Sequence, residues 1–354
     1  MRTYILKRLL LIVPTLVGIT LLTYAIVRLA PGDPVGAMIR MQAGDVNPRV
    51  FEQEADRIRE RLGLKDYNFW GKDPDRIDAA EKVFNAVYGY GRWVWHMAHG
   101  DFGESMQQRT TEGSKDPFDL YVERAHVTII LQLIAEAFIF LIAIPVGLTA
   151  ARYSGRLFDR GSTVVLLGLW SVPQVLAGTL LLSLLARGGI GLEVFPYAGL
   201  HSADAGTMGW GGWLVDTLWH ATLPVLCLVY GGLAYLAKLG RASLLENLRA
   251  DYVRTARAKG LPERRVVYHH ALRNSLLPMI TTMVMMLPML LGGSVIVERL
   301  FTIPGMGNLF VGAAMQRDLA VIMFGTLVYG TLTLLSLLLA DILYAWADPR
   351  IRYD

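Results

Sequence analysis

Six apolar stretches, at 9–30, 127–151, 161–186, 218–237, 276–298 and 321–345, leave this 354-residue chain few folds to choose from. A helix needs about 20 apolar residues to cross about 30 Å of hydrocarbon, and each stretch is long enough. Lipid offers no hydrogen-bond partner, so a spanning segment must satisfy its own backbone, which favours helix. The composition agrees, at 53% hydrophobic and 18% charged. The first stretch starts at Leu9 with no small-residue cleavage site behind it, and reads as a retained anchor. The expected fold class is an all-α polytopic membrane protein with six transmembrane helices.

Orientation follows from lysine and arginine in the short loops. Arg2, Lys7 and Arg8 precede the first stretch; Arg152, Arg156 and Arg160 follow the second. The 238–275 loop carries nine basic residues against three acidic ones, and Arg350 and Arg352 lie in the tail. The other side holds only Arg187 in one loop, with Arg299 and Arg317 in another. The basic loops share one side if both termini are cytoplasmic. The expected layout is then a cytoplasmic N-terminus and first helix (1–30), an external helical region (31–126), and a five-helix core (127–354) with a cytoplasmic loop at 238–275. The net charge of +4 reflects orientation and gives no reason to expect nucleic acid. Cys227 is the only cysteine and lies mid-span, so no disulfide is expected.

The external region opens with APGDP at 30–34, where two prolines end the first helix. FEQEADRIRERLG (51–63) places Phe51, Ala55, Ile58 and Leu62 on one helical face and ends at Gly63, a C-cap. DYNFWGKDPDR (66–76) reads as loop, and 79–100 as a helix bearing Tyr88, Tyr90, Trp93 and Trp95. Together they make a small helical cap on the outer membrane face. Pro14, Pro145, Pro173, Pro224 and Pro288 are expected to break the spans.

Charges in or beside the spans matter because each costs about 2.5–3.5 kcal/mol at a helix centre. Arg28 is within a turn of the external end and can snorkel outward. Asp341, a turn from the other end, suits packing with a basic partner. Glu136 lies mid-span and must face protein or water, with substrate contact and simple pairing both open. Glu298 ends the fifth stretch before RLFTIPGMGNLF, an external or re-entrant loop; contact with a cationic group and a capping or salt-bridge role are equally open. No GxxxxGK[ST], HExxH or GxSxG motif is present. His269 and His270 fall on nearly perpendicular helix faces, a poor geometry for a shared metal. No catalytic or metal-binding residue is expected.

The stretch DYVRTARAKGLPERRVVYHHALRN (251–274) is crowded with arginine yet sits between two apolar stretches. SLLENLRADYVRTARAK (243–259) has helix-forming composition, and Gly260 halts it. Pro262 stands where a new helix begins, with Glu263 in its positively polarised first turn. The pattern predicts helix, Gly-Leu-Pro elbow, helix. Positive charge alone would hold the loop inside, but topology requires no ordered elbow.

This stretch resembles the cytoplasmic loop of bacterial ABC importer permeases of the dipeptide, oligopeptide and nickel branch. LKRLLLIVPTLVGITLLTYAIVRLAPGDPV at 6–35 resembles that family's first span and exit. HGDFGES at 99–105 resembles the end of its external region; ERLFTIPGMGNLF at 298–310 and ADPRIR at 347–352 resemble its last external loop and tail. The resemblance covers nearly the whole chain. It implies a type I ABC importer permease, in which the loop is a coupling helix seated in a groove of the partner ATPase. The residues it assigns there are Asp251, Tyr252, Arg254, Thr255, Ala256, Arg257, Ala258, Lys259, Gly260, Leu261, Pro262, Glu263 and Arg264. Glu136, Glu298, Pro304 and Gly305 are candidates for the translocation path.

The implied partners are a second, homologous permease, two cytoplasmic ATP-binding subunits, an external solute-binding protein and the lipid bilayer. No cofactor is expected in this chain; ATP and Mg would be bound by the partners. Ala256, Ala258 and Gly260 match the family's EAA motif, but Arg254 and Thr255 replace its glutamate, and its closing Leu-Pro is Leu277-Pro278. The connection between Leu64 and Gly100 is longer than the family's usual one. Cargo stays open among dipeptides, longer peptides, a nickel chelate and oligosaccharide. An ion-gradient-driven secondary transporter is the alternative, and it would call for an inverted repeat and midplane carboxylates; Glu136 is the one candidate.

Overall fold

A computed structural model describes residues 2–29, 35–36, 48–67, 79–105, 109–110, 113–114 and 116–347. The 30–34 exit, most of the 66–76 loop and the end of the tail motif lie outside the described residues. Helix dominates the described residues; a short hairpin pairs Arg109–Thr110 with Gly113–Ser114.

Among the described residues, four helices contain stretches long and apolar enough to cross a bilayer: Arg2–Leu29, Pro117–Arg152, Trp210–Arg249 and Leu319–Ala347. Pro14, Pro145 and Pro224 lie inside these helices without ending them, so three of the five expected proline breaks are absent. The expected 161–186 span is not one straight helix. It runs as Leu157–Ser171 and Gln174–Leu185, bent by 93°. Val172, before Pro173, is extended, as the proline ring requires. Neighbouring groups hold the break: the Tyr230 hydroxyl donates to Val172 O at 2.9 Å, and the Gln174 side-chain amide tethers it to Cys227 O at 3.2 Å. Counted as one span, the bent pair brings the total to five.

The expected 276–298 span is also divided, into Leu277–Met285, Leu287–Gly292 and Val295–Leu300. Met286 keeps helical dihedrals, and the decisive stop is Gly293, at φ +67°. Ser294 then caps the next helix, accepting from Val297 N at 3.4 Å.

The chain forms two compact units. In the unit built from Ala125–Asn308 and the segment from Leu335, one stripe of the Pro117–Arg152 helix carries Leu131, Ala135, Ile139 and Ala143 at four-residue spacing, all buried. They pack with Leu223, Cys227, Ala234 and Ala237 of the Trp210–Arg249 helix. Gly147 continues the stripe; a Cβ there would lie 2.6 Å from Ala237 O. Small residues let these helices approach closely, which is how helices associate where lipid removes the hydrophobic drive.

In the unit built from Arg2–Arg124 and Leu309–Leu334, Ala55 and Leu62 are buried with Tyr24 and Trp93. Gly63 ends the Pro48–Arg61 helix at φ +67°, as its position foretold. Its carbonyl accepts from the Tyr24 hydroxyl at 2.5 Å. The side chain of Arg28 pairs with Asp66. Of the aromatics on the Ala79–Ala98 helix, Trp93 is buried while Trp95 is exposed.

Candidate functional site

The 251–275 elbow is built from the backbone outward. Asp251–Ala258 is a helix with Lys259 as its C-cap. Gly260 N–H donates to Arg257 O at 2.9 Å, and Leu261 N–H reaches Ala256 O at 3.4 Å. That bond pair is a Schellman stop, and it needs a left-handed residue after the cap. Gly260 supplies it at φ +73°. Leu261 also packs on the small core that holds Ala256, the apolar contact that accompanies this motif. Pro262 is extended and precedes the Glu263–Arg265 turn, so it stands one place earlier than a first helical residue.

The elbow has an apolar sole and a charged face. Val253, Ala256, Val266 and Ala271 are buried with Ala151 and Leu244. Arg254, Arg257, Ala258, Lys259, Gly260, Arg264 and Arg265 are exposed. Arg254 reaches Asp251, at 3.4 Å, and its side chain is 71% exposed. Thr255 bonds back to Asp251 O at 2.9 Å, and the Tyr252 hydroxyl donates to Asn247 Oδ1 at 2.6 Å. Arg257 forks onto Glu263, which holds that carboxyl below its ordinary range. An open cleft of about 880 Å³ adjoins, lined by Leu261, Pro262, Arg264, Arg265, Tyr268, His269 and His270. The two imidazole planes stand at 89°, and no group suited to a metal ion occurs among the described residues.

Sequence reasoning missed three supports of this elbow. Val266–Ala271 winds as a π-helix, a form that concentrates at functional sites. Ser275 at its end donates to Ala271 O at 2.7 Å and to Ser243 O at 3.4 Å. Arg241 forks onto buried Asp159, at 2.5 and 2.8 Å, while Gly155 N–H donates to the same carboxylate at 2.8 Å. The guanidinium lowers the Asp159 carboxyl to about 2. A signal existed, since Asp159 is the only acid in the basic 152–160 loop.

Glu298 and Gly305 come together in a second cluster. Glu298 is 3% exposed. Its Oε1 accepts from the Thr128 hydroxyl at 3.0 Å, and its Oε2 from Asn308 N at 2.9 Å. Thr128 Oγ1 in turn accepts from Met306 N at 2.8 Å. A Cβ on Gly305 would fall 2.5 Å from Glu298 Cδ, and one on Gly293 2.3 Å from Oε1. Both glycines leave room for the carboxylate. Pro304 is exposed at the rim. Glu298 therefore ties the 293–308 loop together. Glu136 stands apart, eight residues or about 12 Å along the helix from Thr128. Its Oε2 is buried without a hydrogen-bond partner among the described residues.

The two clusters can grip a protein surface and shape a loop. Residues 143–353 match the family described as binding-protein-dependent transport system inner membrane component. Over its whole length the chain is 36% identical to the oligopeptide transport system permease protein AppB of Bacillus subtilis, covering all of that protein. It is 35% identical to the dipeptide transport system permease protein DppB of Escherichia coli K12 and 30% identical to the peptidoglycan transport system permease protein YejB of Agrobacterium fabrum. In each case it covers 99% of the relative.

Proposed function

The chain belongs to the binding-protein-dependent transport system inner membrane components, and we propose from that premise that it is one of two permeases in an ATP-driven peptide importer. It is a multi-pass inner-membrane subunit of an ABC transporter. In the proposed assembly two cytoplasmic subunits bind ATP and Mg and carry out hydrolysis, and an external binding protein delivers the peptide. Both termini are cytoplasmic, 31–126 is external, and the helical run 277–292 supplies the sixth span.

The observation that carries this reading is the elbow: a Schellman stop at Gly260 holds a ridge of exposed arginines on an apolar sole. Such a ridge suits a groove in a partner ATPase, and nucleotide-driven closure would reach the spans through its rigid sole. Glu136 faces the path, and Glu298, with Pro304 and Gly305, shapes the loop at its mouth. The relatives' names favour peptides over nickel chelates or oligosaccharides as cargo. Cysteine labelling tests the topology: Ala203→Cys should react in intact cells and Arg264→Cys only after permeabilisation. External labelling at 264 would reverse the orientation and refute the coupling role.

A further inference from the structure

The segment after the bent helix pair folds into a turn whose construction is unusual for a loop in water. The last carbonyls of the Gln174–Leu185 helix have no partners within the helix. Amides of the following residues cap them: Ile190 N–H to Ser183 O at 2.8 Å, Leu192 N–H to Leu184 O at 2.7 Å, and Val194 N–H to Leu185 O at 2.9 Å. Two glycines permit this approach, because a Cβ on Gly189 would lie 2.3 Å from Ser183 O and one on Gly191 2.2 Å from Leu184 O. Phe195 closes the base, its ring 4.5 Å from that of Trp219.

What this scaffold presents is apolar. Ile190 is 89% exposed and Leu192 73% exposed, on a backbone too constrained to fold them away. Glu193 is the only carboxylate between Gly188 and Ala203, and there is no lysine or arginine. Tyr197 and Trp210 are also exposed, and Trp210 starts the next apolar helix. A binding protein docks only part of the time, and between visits two large aliphatic side chains would stand in water. Lipid is always present, and the turn follows directly on the apolar Gln174–Leu185 helix.

We propose that the 186–197 turn is an interfacial anchor, with Ile190 and Leu192 seated in the outer leaflet just below the headgroups. Arg187 and Glu193 lie at headgroup level, and Tyr197 and Trp210 belong to the aromatic belt. The anchor fixes the depth of the bent helix pair. It rests on the reading that the flanking helices cross the bilayer.

The test places single cysteines at Ile190 and Leu192, in a Cys227→Ala background, in the assembled complex in phospholipid nanodiscs. Each is labelled with an environment-sensitive fluorophore. Phospholipids carrying a nitroxide near the headgroup should quench both probes, with blue-shifted emission, and aqueous iodide should not. Controls are Leu180→Cys on the exposed face of the Gln174–Leu185 helix and Asp204→Cys in the exposed loop. Iodide quenching at 190 and 192 equal to that at 204 overturns the anchor. So does protection from both quenchers, or protection that appears only with the binding protein, since each indicates a protein partner. Iodide quenching at 180 would instead refute the spanning assignment.

Discussion

Arg257 reaches Glu263 across the Gly260 turn with both arms of its guanidinium, Nη2 to Oε1 at 2.8 Å and Nε to Oε2 at 3.1 Å. The pair closes the elbow helix to helix, and both side chains are solvated, at 41% and 58% exposure. An exposed pair contributes only about 0–1 kcal/mol, so Glu263→Gln should shift the thermal midpoint of the purified protein by little. The Glu263 carboxyl is held below its ordinary range by Arg257. The pair's contribution is therefore complete above the ordinary carboxylate pKa and fades as pH falls through the lowered one. A midpoint difference between wild type and Glu263→Gln that changes between pH 6 and 8 would contradict this.

The Asp159–Arg241 fork is the stronger tie, because Asp159 is buried and also takes the Gly155 amide. Asp159→Asn should cost about 1.5–3 kcal/mol, the range for hydrogen bonds to charged groups. With the folded carboxyl at about 2 and an unfolded value of about 3.9, the stabilisation is present above about pH 4 and is lost as pH falls toward 2. Thermal unfolding of both proteins in detergent across that window measures it.

Gly305→Ala should destabilise the 293–308 loop, since its Cβ would meet Glu298 Cδ at 2.5 Å and Thr128 Oγ1 at 2.6 Å. Overpacking of this kind costs about 1–3 kcal/mol. Thr128→Val removes the hydroxyl that joins Glu298 to Met306 N. The two substitutions act on one cluster, so their effects on the unfolding midpoint should not add.

Gly63 and Gly89 meet backbone to backbone: a Cβ on Gly89 would lie 2.0 Å from Gly63 O and 2.4 Å from the Tyr24 hydroxyl. Gly89→Ala must part the two backbones, at about 1–3 kcal/mol or more, while Gly91→Ala, with nothing within 4 Å, should be neutral or stabilising. Limited proteolysis near residue 65 should accelerate only in the first variant.

Much of the elbow was legible because glycine, proline and charge act locally: Gly260 had to end a helix and Glu263 to begin one. Gly63 was readable for the same reason. The spans were legible as hydrophobicity but not as geometry. Pro145 and Pro224 stay within helices while Pro173 bends its span by 93°, and the supports at Pro173 come from Tyr230 and Gln174, which no local pattern identifies. The role of Glu298 was hidden for a similar reason. Its partners Thr128 and Asn308 are brought by tertiary packing, across 170 residues in the case of Thr128.

The coupling role of the elbow is tested most directly at Gly260. Its φ of +73° strains most other residues by about 1 kcal/mol and aspartate less, and a Cβ there meets nothing within 4 Å. Within this chain the substitution is therefore mild, and a larger effect must come from what docks on the elbow. The measurement is ATP hydrolysis by the complex reconstituted with its ATPases, with and without peptide-loaded binding protein, alongside peptide uptake. Gly260→Asp should insert normally yet lose both stimulated hydrolysis and uptake. Wild-type stimulation and uptake in that variant would contradict the coupling role.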